Sequence, residues 1–147
     1  METIVHIFSH EHSHCDELFV QAEQSIAKKQ WERGIQDFVN FQTTMEQHFT
    51  KEEKVLFPTV EEHIGPTGPT QVMRMEHQQM RQVFTDMQDS IEQKDSEQYL
   101  GLSETLLMLM QQHNAKEEQI LYPMSDQVLG SEVPAILNRM TQLGEEE

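Results

Sequence analysis

The stretch His48-Phe49-Thr50-Lys51-Glu52-Glu53-Lys54-Val55-Leu56-Phe57-Pro58 returns as His113-Asn114-Ala115-Lys116-Glu117-Glu118-Gln119-Ile120-Leu121-Tyr122-Pro123. Both copies read H-x-x-K-E-E-x-(V/I)-L-(F/Y)-P, and they lie 65 residues apart, 113 less 48. The same offset carries Glu11-His12 onto Glu76-His77, Phe19 onto Phe84, Met45 onto Met110 and Gln47 onto Gln112, without gaps. The chain therefore reads as two copies of one unit. Each unit has a lone histidine and, 36 residues later, a His-x-x-x-Glu. A repeat of this kind fixes architecture before any single residue is considered.

Working outward, the apolar residues step by three and four, the period of an amphipathic helix. The spacing predicts a first helix from near Ser9 to about Lys28, with the stripe Phe8, His12, Cys15, Phe19, Ala22, Ile26. A second helix opens near Trp31, with Gly34 as a local weakness, and carries Phe38, Phe41, Met45, His48, Glu52, Val55. Pro58 should bend or end it, because proline lacks the N–H of the helical ladder. Ile64-Gly65-Pro66-Thr67-Gly68-Pro69 is the linker between the copies. A third helix starts at about Pro69, a favoured first-turn residue, with Met73, His77, Met80, Phe84, Met87, Ile91. After a turn at Lys94-Asp95-Ser96, N-capped by Asp95 or Ser96, a fourth helix carries Leu102, Leu106, Leu109, His113, Glu117, Ile120 and stops near Tyr122-Pro123. A short fifth helix, from about Ser131 to Leu143, buries Val133, Ile136, Leu137 and Met140. The acidic end, Glu145 to Glu147, is expected to fray. The fold class is all-α: one domain over residues 1–147, an antiparallel up-down four-helix bundle with an internal pseudo-two-fold repeat and a short C-terminal helix.

Bulk properties exclude several roles. The formal net charge of −16 repels phosphate backbones and anionic lipid surfaces, so neither nucleic acid nor membrane is expected as a partner. No run of 18 apolar residues and no N-terminal signal pattern is present, and the single Cys15 forms no intrachain disulfide and fits a reducing compartment. These features lead us to expect a cytoplasmic protein. The ten methionines read chiefly as core filler.

Six positions on the apolar stripes are not apolar: His12, His48, Glu52, His77, His113 and Glu117. A histidine on an apolar face is more often a hydrogen-bonded core residue than a ligand, and H-x-x-x-E alone is common on exposed helices. Repetition in the same order, at the same spacing and on four facing seams, separates this pattern from both. A buried carboxylate without a partner costs several kcal/mol. Two carboxylates and four imidazoles facing one another call for a shared partner, and a pair of divalent metals supplies it. His and Glu at i and i+4 share a helix face. Imidazole with carboxylate suits iron, manganese or zinc. If Glu52 and Glu117 bridge, each metal receives two histidines and two carboxylate oxygens, and about two of roughly six octahedral positions stay open. An oxo, hydroxo or water bridge fills one and leaves room for a small exogenous ligand.

At these residues the chain resembles the hemerythrin-like, HHE cation-binding domains, over nearly its whole length. The resemblance implies a non-haem di-iron site, with two oxo- or hydroxo-bridged iron ions, inside a four-helix bundle. The pattern H, H-x-x-x-E, H, H-x-x-x-E resembles the branch that includes the di-iron proteins for repair of iron–sulfur clusters. The oxygen-carrying hemerythrins differ: they have a second histidine four residues after the third-helix histidine, where Arg81 stands here, and they end in H-x-x-x-x-D, where Glu118 occupies the last position. Glu117, at i+4, is preferred here as the ligand. The paired cysteines of the repair proteins have no counterpart.

The expected function is that of a di-iron protein that binds or reacts with a small diatomic or a peroxide (oxygen, nitric oxide) in sensing, scavenging or iron handling. The alternatives are a redox enzyme or iron donor in cluster repair, and a structural metal bundle, zinc for example, serving protein interaction. No residue outside the core marks a substrate pocket with general acid or base groups. The chain is expected to be a monomer or a homodimer, with the fifth helix as a possible dimer contact. Among the remaining polar residues, His10 and His14 are assigned to solvent or the rim, and His6 and His63 to the surface. Glu53 and Glu118 are expected to pair with Lys or Arg, or to hydrogen-bond the ligand histidines. Asp16 and Arg81, repeat equivalents of opposite charge, are expected to meet beside the metals.

Overall fold

The computed structural model of the chain describes residues 2–146. Its order is α1 (Ile4–Ala27), α2 (Trp31–Lys51), a π-helical turn (Glu52–Leu56), α3 (Phe57–Ile64), α4 (Pro69–Glu92), α5 (Ser96–Lys116), a second π-helical turn (Glu117–Leu121), α6 (Tyr122–Leu129), a 3-10 turn (Gly130–Glu132) and α7 (Val133–Glu146). α1 packs on α2 and α5, and α4 on α5 and α2, so the four long helices form the expected antiparallel ring. Among the described residues, no helix is long and apolar enough to cross a membrane.

The two halves agree down to their hairpin loops. Lys29 and Lys94, 65 residues apart, both take left-handed φ, at 57° and 54°. The following amides, of Gln30 and Asp95, donate to the carbonyls of Ser25 and Ser90 five residues back, closing each helix in the same way. Asp95 is the N-cap of α5 and accepts from the Gln98 amide.

Three boundaries differ from the sequence expectation. α1 begins at Ile4 because Thr3 accepts from the His6 amide. In addition, the Asp126 carboxylate, from the far end of the chain, accepts from the Ile4 and Val5 amides at 2.7 and 3.1 Å. A cap supplied by α6 has no trace in local sequence. Secondly, Pro58 and Pro123 do not end their helices. The Phe57 and Tyr122 amides donate to the carbonyls of Glu52 and Glu117, five residues back. This wider turn re-registers each helix just before its proline, relieving the clash with the carbonyl at i−4. Thirdly, α7 runs to Glu146, so Glu145 and Glu146 are helical; Glu147 lies outside the described residues.

The predicted stripes of α1, α2 and α4 are buried throughout, but that of α5 is shifted. Its inward face is Tyr99, Ser103, Leu106, Met110, His113. Leu102 and Leu109 flank the core, and Ile120 is 59% exposed. The π turn aims Leu121 inward instead.

The interior falls into two apolar clusters. One, at the hairpin end, is built on Phe19, Phe38, Phe41, Phe84, Met87 and Leu106. The other is built on Ile4, Phe8, Leu56, Phe57, Leu121, Tyr122 and α7. The six polar stripe residues form a layer between them, since each stripe passes from one cluster through its polar residues to the other. Gly34 has a tertiary reason: a Cβ there would lie 2.4 Å from Ile26 Cδ1 and 3.2 Å from its Cγ1, at a fully buried isoleucine. Gly34→Ala should therefore destabilise by about 1–3 kcal/mol through overpacking, against the gain in helix propensity; chemical denaturation checks it.

Candidate metal centre

His12, His48, Glu52, His77, His113 and Glu117 are all buried, the two glutamates completely. Their ring pairing follows the helix ring. His12 of α1 faces His48 of α2 with centroids 4.8 Å apart, and His77 of α4 faces His113 of α5 at 5.0 Å. The glutamates lie between the pairs. Glu52 Oε1 is 3.4 Å from His48 Nε2 and 3.1 Å from His77 Nε2. Glu117 Oε1 is 3.1 Å from His12 Nε2 and 3.2 Å from His113 Nε2. Two sets of donor atoms come within 4.8 Å of one another: Glu52, His77, His113, Glu117, and His12, His48, Glu117.

Each histidine is held from behind by a carboxylate on Nδ1. Glu11 meets His48 at 2.8 Å, Glu76 meets His113 at 2.8 Å, Glu53 meets His77 at 2.6 Å and Glu118 meets His12 at 2.7 Å. With Nδ1–H donated outward, every Nε2 lone pair faces the centre. This accounts for the whole motif. Lys51 and Lys116 donate to Glu11 and Glu76, the first glutamate enters the centre, and the second orients the lone histidine of the other copy. Glu118 thus takes the histidine-bonding option, and Glu53 takes both, since Arg81 also donates to it. Glu11 and Glu76 were passed over as site residues, although their place beside His12 and His77 in the repeat was the available signal.

Tyr122 was also missed. Its single O–H is shared between two acceptors, Glu52 Oε2 at 2.7 Å and Glu117 Oε1 at 2.9 Å, and its oxygen lies 3.1 Å from His12 Nε2 and 3.4 Å from His48 Nε2. The repeat places Phe57 at the matching position, so this hydroxyl breaks the two-fold symmetry of the centre. Aromatic rings keep the layer dry: Phe49 stacks on His77 at 3.9 Å, Phe57 at 5.6 Å, and Phe8 packs edge-on to His48 at 5.3 Å.

The expected Asp16–Arg81 contact does not form. Arg81 binds Glu46 and Glu53, at 2.9 Å each, and no hydrogen bond or ion pair joins it to Asp16 among the described residues. Two-fold equivalents sit across the axis, each beside the second glutamate of the other copy. There Arg81 neutralises Glu53, while burial and the charge of Glu118 raise the Asp16 carboxyl. His10 and His14 are exposed as expected and rim a cleft with Glu11, Cys15 and His48. His6 is exposed, and His63 pairs with Glu132 at the surface. Cys15 is buried and pushed up to about 12 by desolvation and by Glu11, so it offers no thiolate.

Two of the three buried side-chain polar atoms without a hydrogen-bond partner among the described residues are His113 Nε2 and Glu117 Oε2; the third is Thr70 Oγ1. Orphaned buried donors and acceptors are costly, and these two point into a cage of imidazole and carboxylate that suits a borderline or hard cation. Without a cation, protons take its part. Against the cost of burial, the charge of Glu117 raises His113 to about 9, and partner carboxylates raise His12 and His77. Burial lowers His48. Glu53 is held at about 2, where His77 and Arg81 outweigh burial.

The sign for the metal-free protein follows. Stability from His113 is complete below its ordinary 6.5 and lost as pH rises towards 9. Stability from Glu53 is complete above its ordinary 4.5 and lost as pH falls towards 2. His48, lowered by burial, acts below pH 6.5, where it makes stability rise with pH. Metal-free protein should therefore lose stability between pH 6.5 and 9, whereas metal affinity should rise over the same interval as the imidazoles deprotonate. Melting curves with chelator and with metal would check the opposite slopes.

Comparison with the curated proteins and with the solved structures finds no match. Among protein families, the model described as the hemerythrin HHE cation binding domain matches residues 3–125, from the cap of α1 into α6. Taken with the cage of four histidines and two glutamates, that match identifies the chain as a member of the hemerythrin HHE family of cation-binding domains.

Proposed function

We propose that the chain holds two iron ions, one between His12 and His48 and one between His77 and His113, with Glu52 and Glu117 bridging, and that this centre binds or reacts with oxygen, nitric oxide or a peroxide. The observation that carries the reading is the position of the two glutamates. Each reaches one histidine of each pair, as a bridge requires. The donor set, nitrogen and oxygen with no thiolate, suits iron and also manganese or zinc. A non-haem iron pair supplies Lewis acidity and electron transfer at a dry site.

The chain's own residues prepare that chemistry. Four carboxylate–histidine pairs fix the rings so that little reorganisation follows metal entry. Phe8, Phe49 and Phe57 exclude water. The Tyr122 hydroxyl is the one O–H donor at the centre. The cleft rimmed by His10, His14 and Cys15 reaches His48 and is a route for a small ligand.

The test is anaerobic loading with ferrous iron, metal analysis, and then exposure to oxygen and to nitric oxide under an absorption spectrometer. A bound iron pair with a persistent coloured adduct supports ligand binding. Rapid oxidation with turnover moves the assignment to a redox enzyme or iron donor. Preference for zinc with no spectral response to either gas rejects the reading in favour of a structural metal bundle.

A further inference from the structure

α7 lies in a groove of the first half of the repeat. α7 packs on α2 and the first π turn; its residues Val133, Ile136 and Met140 belong to one apolar cluster with Ile4, Phe8 and Val55, and Ile7, Phe8 and Lys51 line a pocket with Leu137 and Met140. The sequence offset of 65 residues places an equivalent groove between α4 and α5. There Val72 stands for Ile7, Met73 for Phe8, Lys116 for Lys51 and Ile120 for Val55. The chain has one α7 for two grooves. Val55, covered by it, is 6% exposed, whereas Ile120, its equivalent, is 59% exposed and Val72 is 43% exposed.

The apolar surface continues along both helices. Met75 on α4 and Met108 on α5 are 59% and 58% exposed. Spacings of three and four place Val72, Met75 and Gln79 along one side of α4. Spacings of four place Met108, Gln112, Lys116 and, through the π turn, Ile120 along one side of α5. Around Val72 and Ile120 the face is also electrically neutral. Glu76 and Lys116 pair with each other, and the exposed neighbours Gln71, Gln79, Gln112 and Gln119 carry no charge. In a chain of net charge −16, this matters for self-association. Most approaches of two copies oppose carboxylates, but this face does not.

We propose that the α4–α5 face, centred on Val72, Met75 and Ile120, is a two-fold interface with the same face of a second copy. Helices of 24 and 21 residues rise about 1.5 Å per residue and are about 10 Å wide, which bounds the footprint at roughly 650 Å² per copy. A standard interface buries about 800 Å² per partner, so this pairing belongs to the small, weak class. An isologous pairing sets Val72 and Ile120 against their own copies, and it leaves α7 in its groove. The fifth helix, considered from sequence as a dimer contact, turns its stripe onto its own chain and is not part of this interface. The proposal rests on the fold and the repeat, not on the metal.

Sedimentation equilibrium of the full chain over about 1 µM to 1 mM tests it. The wild type should approach twice 17.3 kDa. The double variant Val72→Glu with Ile120→Glu should weaken association at least tenfold while circular dichroism and metal content stay as in the wild type. Ile35→Glu, at an exposed isoleucine of α2, should leave the dimer intact and so control for added charge. A wild type that remains monomeric throughout overturns the proposal. So does a dimer that survives the double variant. If the monomer instead binds a synthetic peptide of residues 131–146, the groove is a docking site for a helix of another protein and the homodimer is rejected.

Discussion

A Glu117→Ala variant should lose metal from both positions, with a larger loss of affinity than Glu118→Ala. Glu117 is completely buried and its Oε1 lies between His12 and His113, so its removal takes a donor from each pair. It also leaves His113 without the charge that holds it near 9 in the metal-free protein. Glu118 touches the centre only through Nδ1 of His12. Deleting an orienting carboxylate of that kind typically costs about 10–100-fold in affinity. Metal content after dialysis against a chelator reads the difference. The two positions are adjacent in sequence, and a variant series with the opposite order would reassign the bridging role to Glu118. Metal loss should also appear in stability. A ligand at about a thousandfold above its Kd stabilises by about 4 kcal/mol. For a chain of this length that is a melting shift on the order of 10 °C, present in the wild type on metal addition and absent from Glu117→Ala.

The second large effect lies at the other end of the bundle. Phe41 is completely buried, with its ring 5.6 Å from Phe19, 5.7 Å from Phe84 and 6.5 Å from Phe38. Phe41→Ala should cost about 3–5 kcal/mol, from lost transfer energy and a cavity that four packed helices cannot close. Urea denaturation of the metal-free protein reads it directly. The loss should not extend to the centre, because Phe41 belongs to the hairpin-end cluster and the four site histidines are held by their own carboxylates. A variant that unfolds in the expected range yet retains its metal at low denaturant shows that the two layers are energetically separable. A cost below about 1 kcal/mol would mean that this ring is not a packed core residue.

Such separability explains why so much was legible. The four helices were legible because their apolar stripes are long and regular, and burial of a stripe is the dominant favourable term in a bundle. The six site residues were legible because polar groups on those stripes must have a partner, and because the repeat wrote them twice. Less regular features were not. The face of α5 was misread by one position, since Leu102 and Leu109 compete with Ser103 and Met110 for it, and serine in the core is a weak signal. The π turns were not read, although each copy places a proline one residue after the turn closes. From sequence, Pro58 reads as a bend or an end and Pro123 as an end, because a normal α turn cannot accommodate proline. Five-residue closure onto Glu52 and Glu117 removes that objection at the residues that enter the centre.

The sequence by itself determined the helical class, the two-fold repeat, the seams and the six polar residues on them, because these depend on residue type and spacing along one chain. Tertiary structure alone decided which carboxylate holds which histidine. Glu53 serves His77 and Glu118 serves His12, each across the axis from its own copy. It brought the Tyr122 hydroxyl between the glutamates, sent Arg81 to Glu46 and Glu53 instead of Asp16, and let Asp126 cap α1. Each of these is a contact between side chains far apart in sequence. Its partner is chosen by helix rotation and axial register, which the packing of the whole bundle sets and no local spacing encodes.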